Sequence, residues 1–516
     1  MTRPERAGRQ AAFKVLIFGA ATAVLLGGAE IQSALRAIQA SDLRGDLSFL
    51  ASDALQGRYT PSPGLDVAAE FIASQFREAG LAPGGNQDYF QLASMVDRRV
   101  PAPSDMTVQE GAKSWTVPSA SLSVAQSNFA ASVDHAPVLV LGARDPDLLK
   151  GLDLSGKAVV VMARPVGKIA PGEMQSFYNK RLAFDKAIAS SAAAVEIVVA
   201  ERAGGPGRAR LLSAEEAQEH RPPVVTAASD ELMKWVEHPD ASGENRTITL
   251  NVPAPEDQKV LLKNVIGVLR GSDPKLKDTY VLLTAHYDHI GTGETGKEMS
   301  PNRAQNPNDQ IYNGANDDGS GTVSVIEIAK AMAKANLHPK RSIVFMTFFG
   351  EERGDIGSGY YGAHPVFPIA KTVADVNLEQ VGRTDSTLGP HVHDASVTGF
   401  DYSDVTKYLQ AAGRATGIKV YLEKDASDAY FARSDNAALA LRGVPAHTLC
   451  VAFDYPDYHG VGDEWQKIDY DNMAQVDRMV SLALWNIANS ATAPNWDSHN
   501  PKTLPFRQAQ GEIAQP

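Results

Sequence analysis

Five short clusters hold the side chains of this chain best suited to binding a metal or moving a proton. His286-Tyr287-Asp288-His289 pairs imidazoles with a carboxylate, and Asn316-Asp317-Asp318-Gly319-Ser320-Gly321 sets two aspartates in a glycine-rich turn. Glu351 and Glu352 are adjacent, Glu379 ends an apolar run, and Tyr458-His459 joins a phenol to an imidazole. Imidazole and carboxylate are zinc donors, and a catalytic zinc keeps one coordination position open for water. Two histidines and three carboxylates hold a pair of zinc ions only if one carboxylate bridges them. Asp317, central in sequence, is the candidate bridge. Asp288, two residues beyond His286, is placed to receive its other ring N–H and fix the tautomer. Two metals about 3.5–4 Å apart, sharing a water, perform aminopeptidase- or phosphatase-type hydrolysis. Glu351 is left without a ligand role, free to serve as general base.

The elements around these clusters imply one rim. Tyr280–Ala285, Ile343–Phe349, Ala374–Leu378 and Ala446–Phe453 are short apolar runs that read as buried strands. A helix is expected over Thr322–Asn336. Strands alternating with helices predict an α/β fold, a mostly parallel central sheet flanked by helices. Each cluster falls at a strand's carboxyl end or at the neighbouring helix N-terminus, where open α/β sheets bind ligands. From Ile31 to about Gln91 the pattern is helical, with Val67, Phe71, Ile72, Phe76 and Ala79 at helical spacing and Gly80 as a stop. Residues 101–254 form a smaller α/β insert, with strand-like runs Ala136–Leu141, Lys157–Met162 and Val195–Ala200, closed by the hinge Val252-Pro-Ala-Pro255. The stretch after Asn495 reads as a polar, loosely ordered tail.

Composition bounds the rest. The chain has 516 residues, 43% hydrophobic and 21% charged, which is globular rather than disordered. Its 61 acidic and 49 basic side chains give a net charge of −12, which argues against nucleic acid as a partner. A single cysteine, Cys450, excludes an internal disulfide framework and sits in an apolar run as a buried hydrophobe. Arg3, Arg6, Arg9 and Lys14 precede the apolar stretch Val15–Ala29, the pattern of an export signal cleaved near Ala29. That run is shorter than the ~20 residues of a membrane span, so no stable membrane insertion is expected after cleavage. The length suggests about three domains at roughly 150 residues each. Removing the signal (1–29) and the polar tail (496–516) leaves a discontinuous catalytic domain, 30–100 with 255–495, interrupted by the insert.

The motifs Ala285-His-Tyr-Asp-His-Ile-Gly291, Ile311-Tyr-Asn-Gly-Ala-Asn-Asp-Asp-Gly-Ser-Gly321, Phe349-Gly-Glu-Glu352, Asn377-Leu-Glu379 and Asp457-Tyr-His459 carry a family resemblance. So do Leu50-Ala-Ser-Asp53, Gln56-Gly-Arg58, Arg433-Ser-Asp435 and Gly443-Val-Pro-Ala446. The chain resembles the secreted di-zinc aminopeptidase family of metallopeptidases, whose relatives include glutamate carboxypeptidase, glutaminyl cyclase and the metal-free transferrin receptor. The resemblance implies the phosphorylase/hydrolase-like fold of zinc peptidases. It implies that His286 and Glu379 hold one zinc, Glu352 and His459 the other, and that Asp317 bridges them. It makes Glu351 the base and Tyr458 the donor to the tetrahedral oxyanion, and implies a cis peptide at Asp317–Asp318. Glu379 departs from the family's usual Asp by one methylene, and Gln380 beside it is unusual. The insert, through Leu154-Ser-Gly-Lys157 and Ala158–Met162, resembles a protease-associated domain. Peptides are the implied substrates.

Other readings are weaker. Gly291-Thr-Gly-Glu-Thr-Gly-Lys297 begins like a phosphate-binding loop, but Glu298 replaces the magnesium-binding hydroxyl, leaving a flexible surface loop as the expectation. No His-Glu-x-x-His occurs, and His391 and His393 read as solvent-facing. A carboxypeptidase, a cyclase or a non-enzymatic binding protein are the alternatives within the fold. All five ligand positions, the base and the tyrosine are retained, which favours an exported aminopeptidase.

Overall fold

Strands whose every residue is buried, on both pleat faces, make the centre of the fold. This computed structural model describes residues 30–163, 174–202, 209–239, 245–300, 306, 308–387, 389–424 and 426–513; the expected export segment lies outside them. The chain divides into two compact units, one running to Ala93 and resuming at Leu262, the other spanning Ser94–Leu261. These boundaries differ from the expected 100/101 and 254/255. Strands Phe90–Arg99 and Glu256–Leu269 run through the observed boundaries, and Val252-Pro-Ala-Pro255 lies between strands Arg246–Val252 and Glu256–Leu269.

In the first unit the sheet uses β1 (Glu256–Leu269), β2 (Tyr280–His286), β3 (Ser342–Phe348), β4 (Thr372–Leu378), β5 (Asp394–Val397), β6 (Lys419–Tyr421) and β7 (Ala446–Cys450). Their order is β6-β5-β7-β4-β2-β3-β1. β2 is parallel to β3 on one side and to β4 on the other, and β4 is parallel to β7. β1 is antiparallel to β3, and β5 to β7. All seven residues of β2 and of β3 are buried, as a sheet covered on both faces requires. Ile266, Leu282, Val344 and Met346 pack with Tyr361, Tyr402 and Phe431 on one face. The chain leaves β2, returns as β3 on one side and then as β4 on the other, so a crevice opens at the carboxyl end of β2.

Helices α1 (Ala40–Leu50), α2 (Pro63–Glu78), α3 (Gly321–Lys334) and α4 (Tyr470–Asn489) form a layer in which α3 packs on β2 and contacts the other three. α2 starts where Ser62 accepts a hydrogen bond from Leu65 N and ends before Gly80, whose φ is +79°. Its buried face is Leu65, Ala68, Ala69, Ile72, Ala73 and Phe76, whereas Val67 is 47% exposed. Small alanines let the helix lie close to its neighbours, which turns Val67 outward against expectation.

Two further expectations are corrected. The segment after Gly291 is not a loose loop. Gly291–Thr292 pairs with Ile311–Tyr312, and Thr292 with Thr295 forms a capping box that starts a short helix, Gly293–Met299. The polar tail is ordered: Trp496 is buried, its Nε1 donates to Gly443 O at 2.9 Å, and Phe506 of helix Leu504–Ile513 stacks on it. Two aromatic rings are enough to pin an otherwise polar segment. His391, expected to face solvent, is partly buried with Nδ1 3.1 Å from Tyr421 OH, while His393 is exposed. Cys450 is a buried free thiol.

In the second unit the sheet order is Lys113–Val117, Met106–Glu110, Arg246–Val252, Ala131–Leu141, Ala158–Met162, Val195–Val199, Val224–Ala227, Leu122–Gln126. Helices Met174–Ala189 and Asp230–Glu237 accompany it, and Val160, Ile197, Val225 and Trp235 belong to its core. No helix of the described residues is long and apolar enough to cross a membrane.

Candidate active site

Each motif ends at the same crevice because its neighbours pin backbone. In the turn Ala315–Ser320, which leads into α3, three side chains are spent on anchoring. Asn316 Oδ1 accepts from Gly382 N and Arg383 N at 2.9 and 2.8 Å. Asp318 accepts from Gly321 N, Gln380 N and His286 N at 3.0, 3.1 and 3.3 Å, joining the ends of β2 and β4 to the start of α3. Ser320 Oγ accepts from Val381 N at 3.0 Å. Asp463, four residues after His459, accepts from Asn316 N, Asp317 N and the Tyr455 hydroxyl. With these contacts made, Asp317 alone of the motif's side chains turns to the histidines, and the peptide bond after it is cis, as expected.

Asp317 divides its two oxygens. Oδ1 lies 3.4 Å from His286 Nε2 and Oδ2 lies 3.1 Å from His459 Nε2. His459 Nε2 is also 3.3 Å from Glu352 Oε2. Two donors bound to one tetrahedral zinc at about 2.0–2.1 Å lie roughly 3.3 Å apart, so these separations are those of ligand atoms around a common ion. His286, Glu351 and Glu379 form one group with converging donor atoms, and His289, Asp317 and Glu352 form another. His286 Nε2, Asp317 Oδ2 and Glu352 Oε1 are buried without a hydrogen-bond partner, a rare condition that a cation would relieve. The donor set therefore fits a pair of zinc ions.

Glu351 Oε2 stands 3.8 Å from His286 Nε2. Its backbone N–H donates to Asp288 Oδ1 at 3.1 Å, and Thr60 Oγ1 donates to Asp288 Oδ2 at 2.8 Å. Asp288 thus holds the backbone of Glu351 as well as neighbouring His286, whose Nδ1 is 3.2 Å from the Asp288 carbonyl and 3.5 Å from its carboxylate. Glu379 ends β4 beside Ser434, the serine of the Arg433-Ser-Asp435 motif, which Asn377 also binds at 2.8 Å. Gln380 and His459 both have left-handed backbones, φ +54° and +53°, uncommon for residues other than glycine. Tyr458 stacks on His459 with ring centroids 4.1 Å apart. It shares with Glu379, Tyr430, Arg433 and Phe453 the lining of a cavity of about 180 Å³.

The electrostatics divide the carboxylates by role. Burial drives Glu351 well above the usual carboxylate range, and drives Glu379 up to about 7. Burial acts on Glu352 too, but the His459 and His289 imidazoles outweigh it and hold its carboxyl at about 2. Asp317 is likewise held well below its usual value, with its two imidazoles overcoming burial. The paired glutamates thus differ as a proton carrier and a permanent anion should.

Several positioning residues had no assigned role in the sequence. The buried guanidinium of Arg58 donates to the carbonyls of Leu50, Tyr287, Asn313 and Gly314 at 2.6, 2.8, 2.7 and 2.9 Å. It clamps the exit of β2 to the loop before Asp317. Its motif was visible in the sequence, but not what it binds. Asp463 and His289 carried no signal beyond lying near recognised ligands.

Comparison with known proteins agrees with this geometry. Residues 264–484 match Peptidase family M28. A "Probable zinc metalloprotease" of Pyrenophora teres f. teres is 26% identical over 290 residues, covering 51% of this chain and 57% of its own length. "Leupeptin-inactivating enzyme 1" of Streptomyces exfoliatus is 29% identical over 203 residues, 39% of each protein. The chain thus spans about half the length of these curated relatives or less. Among solved structures, an aminopeptidase from Aneurinibacillus sp. strain AM-1 shares the fold, with a TM-score of 0.58 and 21% identity over 90% of this chain and 97% of that one. The matched segment encloses β2 through most of α4, and every motif of the crevice but the N-terminal arginine lies inside it.

Proposed function

We propose that this chain is an exported di-zinc aminopeptidase that removes N-terminal residues from peptides. The observation that carries the reading is the division of Asp317 between His286 and His459, with Glu351 standing 3.8 Å from the first of these. His286, Glu379 and Asp317 would hold one ion, and Asp317, Glu352 and His459 the other. When bound, the zinc ions supply Lewis-acid polarisation of the scissile carbonyl and a more acidic water. Glu351 takes the proton of the attacking water and returns it to the leaving amine, a task suited to a carboxyl whose affinity for protons is raised by burial. Tyr458 donates to the carbonyl oxygen as it gains charge. Asp288, Asp463 and Arg58 keep these groups in register. The names of relatives support the amino terminus as the point of attack, a "probable leucine aminopeptidase 2" of Aspergillus oryzae among them. The charged and apolar segment at residues 1–29 supports export, and the insert is read as a protease-associated domain.

The test is hydrolysis of aminoacyl chromogenic substrates, free and N-acetylated, with and without chelator. Cleavage of free substrates only, lost on chelation and restored by zinc, is expected. Activity untouched by chelation would sink the metal mechanism. Preference for blocked dipeptides would make the chain a carboxypeptidase, cyclisation of N-terminal glutamine a cyclase, and substrate binding without turnover a binding protein.

A further inference from the structure

Tyr458 and His459 stand on the loop 451–464, which runs from the end of β7 to the one-turn helix Trp465–Lys467. A loop holds a side chain in a working position only through the contacts that anchor it. Asp457, the residue before Tyr458, is such an anchor. Its Oδ2 accepts from Arg383 Nη1 at 3.0 Å and from Lys467 Nζ at 2.9 Å. The two cations are unequal. The Lys467 side chain is 46% exposed and its pair is screened by water, whereas that of Arg383 is 4% exposed. Arg383 is in turn fixed by the residues around it. Its Nε and Nη2 donate to the two oxygens of Asp385, each at 2.6 Å, a bidentate fork that a lysine cannot make. Its backbone N–H donates to Asn316 Oδ1 at 2.8 Å, in the turn that carries Asp317. Its guanidinium carbon lies 5.3 Å from the centre of the Tyr455 ring. Tyr455 is fully buried, donates its hydroxyl to Asp463 Oδ2 at 2.9 Å, and meets the Tyr458 ring edge-on with centroids 5.8 Å apart. One buried guanidinium therefore ties the turn that delivers Asp317 to the loop that delivers Tyr458.

We propose that Arg383 is a positioning residue of the reaction, fixing through Asp457 and Tyr455 where the Tyr458 hydroxyl stands relative to Asp317. The proposal rests on the reading above, in which Tyr458 donates to the scissile carbonyl oxygen. That oxygen gains its charge only in the transition state, so a misplaced donor lowers kcat and spares KM. Misplacement by about 1 Å costs on the order of 10²-fold. Removing the guanidinium leaves behind Asp385, which is exposed, and Asp457, which is partly so. Neither becomes a stranded buried charge, so the fold survives the change that tests the link.

The experiment is a double-mutant cycle on the full chain, with kcat and KM for an aminoacyl chromogen and the zinc content measured for each protein. Arg383→Met should lower kcat by roughly 10–100-fold, with KM and zinc content near wild type. In the Tyr458→Phe background the same change should cost little more, because the donor it aims is already gone. Asp457→Asn keeps the shape of the loop residue and weakens the same link, so it should repeat both results even where Arg383→Met folds poorly. Losses that multiply in the double variants would overturn the proposal, since Arg383 would then act on something other than Tyr458. An unchanged kcat in Arg383→Met would overturn it too, because Lys467 would then suffice to hold the loop. Zinc lost in step with kcat would move the effect to Asp317 or His459 and refute the role given to Arg383. Wild-type kcat in Tyr458→Phe alone would instead refute the oxyanion role of Tyr458. A wild type inert on every aminoacyl substrate would refute the aminopeptidase reading, and in either case the proposal falls with it.

Discussion

Replacing Glu351 by glutamine removes the proposed proton carrier while keeping its volume, so it separates chemistry from architecture. The substitution leaves the backbone N–H of residue 351 on Asp288, and with it the strand end that also presents Glu352. A positioned general base contributes about 10²–10⁴-fold, or roughly 3–5 kcal/mol at 1.36 kcal/mol per tenfold. The structure places Glu351 in the upper part of that range. Its side chain is only 14% exposed, its carboxyl is driven up by burial, and the facing carboxylates of Asp317 and Glu352 are held as anions against imidazoles. The expected outcome is a fall in kcat of about 10³–10⁴-fold, with zinc content and melting temperature near wild type. Steady-state hydrolysis of an aminoacyl chromogen, alongside elemental analysis of the same preparation, measures both quantities. The converging group His286, Glu351 and Glu379 supplies the competing outcome. If zinc content falls in step with activity, Glu351 is a ligand. If kcat stays within about tenfold, the base lies elsewhere.

Other substitutions probe the remaining parts. Tyr458→Phe removes the proposed oxyanion donor and should cost about 3–4 kcal/mol in kcat/KM, with zinc affinity unchanged by calorimetry. Arg58→Lys replaces a planar five-donor group with three donors at one point, stranding at least one of the four carbonyls now served. Urea denaturation should show a loss of roughly 1–3 kcal/mol or more, and an unchanged midpoint would mean that water satisfies the loop. Asp477 in α4 is fully buried, its carboxyl pushed up to about 8, so its contribution is favourable below the unfolded value of 3.8 and is lost as pH rises toward 8. At pH 7 that penalty is about 4 kcal/mol. Asp477→Asn should raise stability at pH 7 and make little difference at pH 4, and the opposite dependence would show that Asp477 is ionised in the fold.

What was legible in the sequence, and what was not, follows from the range of the forces involved. The strands announced themselves because β2, β3 and β4 are buried on both faces, which demands unbroken apolar runs. Candidate metal donors were legible because carboxylates and imidazoles at strand ends are conspicuous against those runs. The capping box at Thr292–Thr295 was equally local, but a string of glycines around it masked the helix it starts. Trp496 was hidden in polar sequence because its partners, Gly443 and Phe431, lie far away in the chain.

The same reasoning explains why the groups that hold the site together were not apparent. Arg58 reaches 229 residues along the chain to Tyr287, and Asp463 reaches back 147 to Asn316. Neither spacing leaves a periodic or compositional trace. Their chemistry is nevertheless constrained, because the turn from Asn313 to Ser320 must present Asp317 to two histidines while its own amides and carbonyls are buried. Buried backbone groups need partners. Asp463 supplies an anion to two N–H groups of that turn, and Arg58 supplies donors to two of its carbonyls. The shared carboxylate is therefore aimed by opposite charges acting on its backbone from two distant segments. A change at either segment should displace Asp317 without touching a ligand.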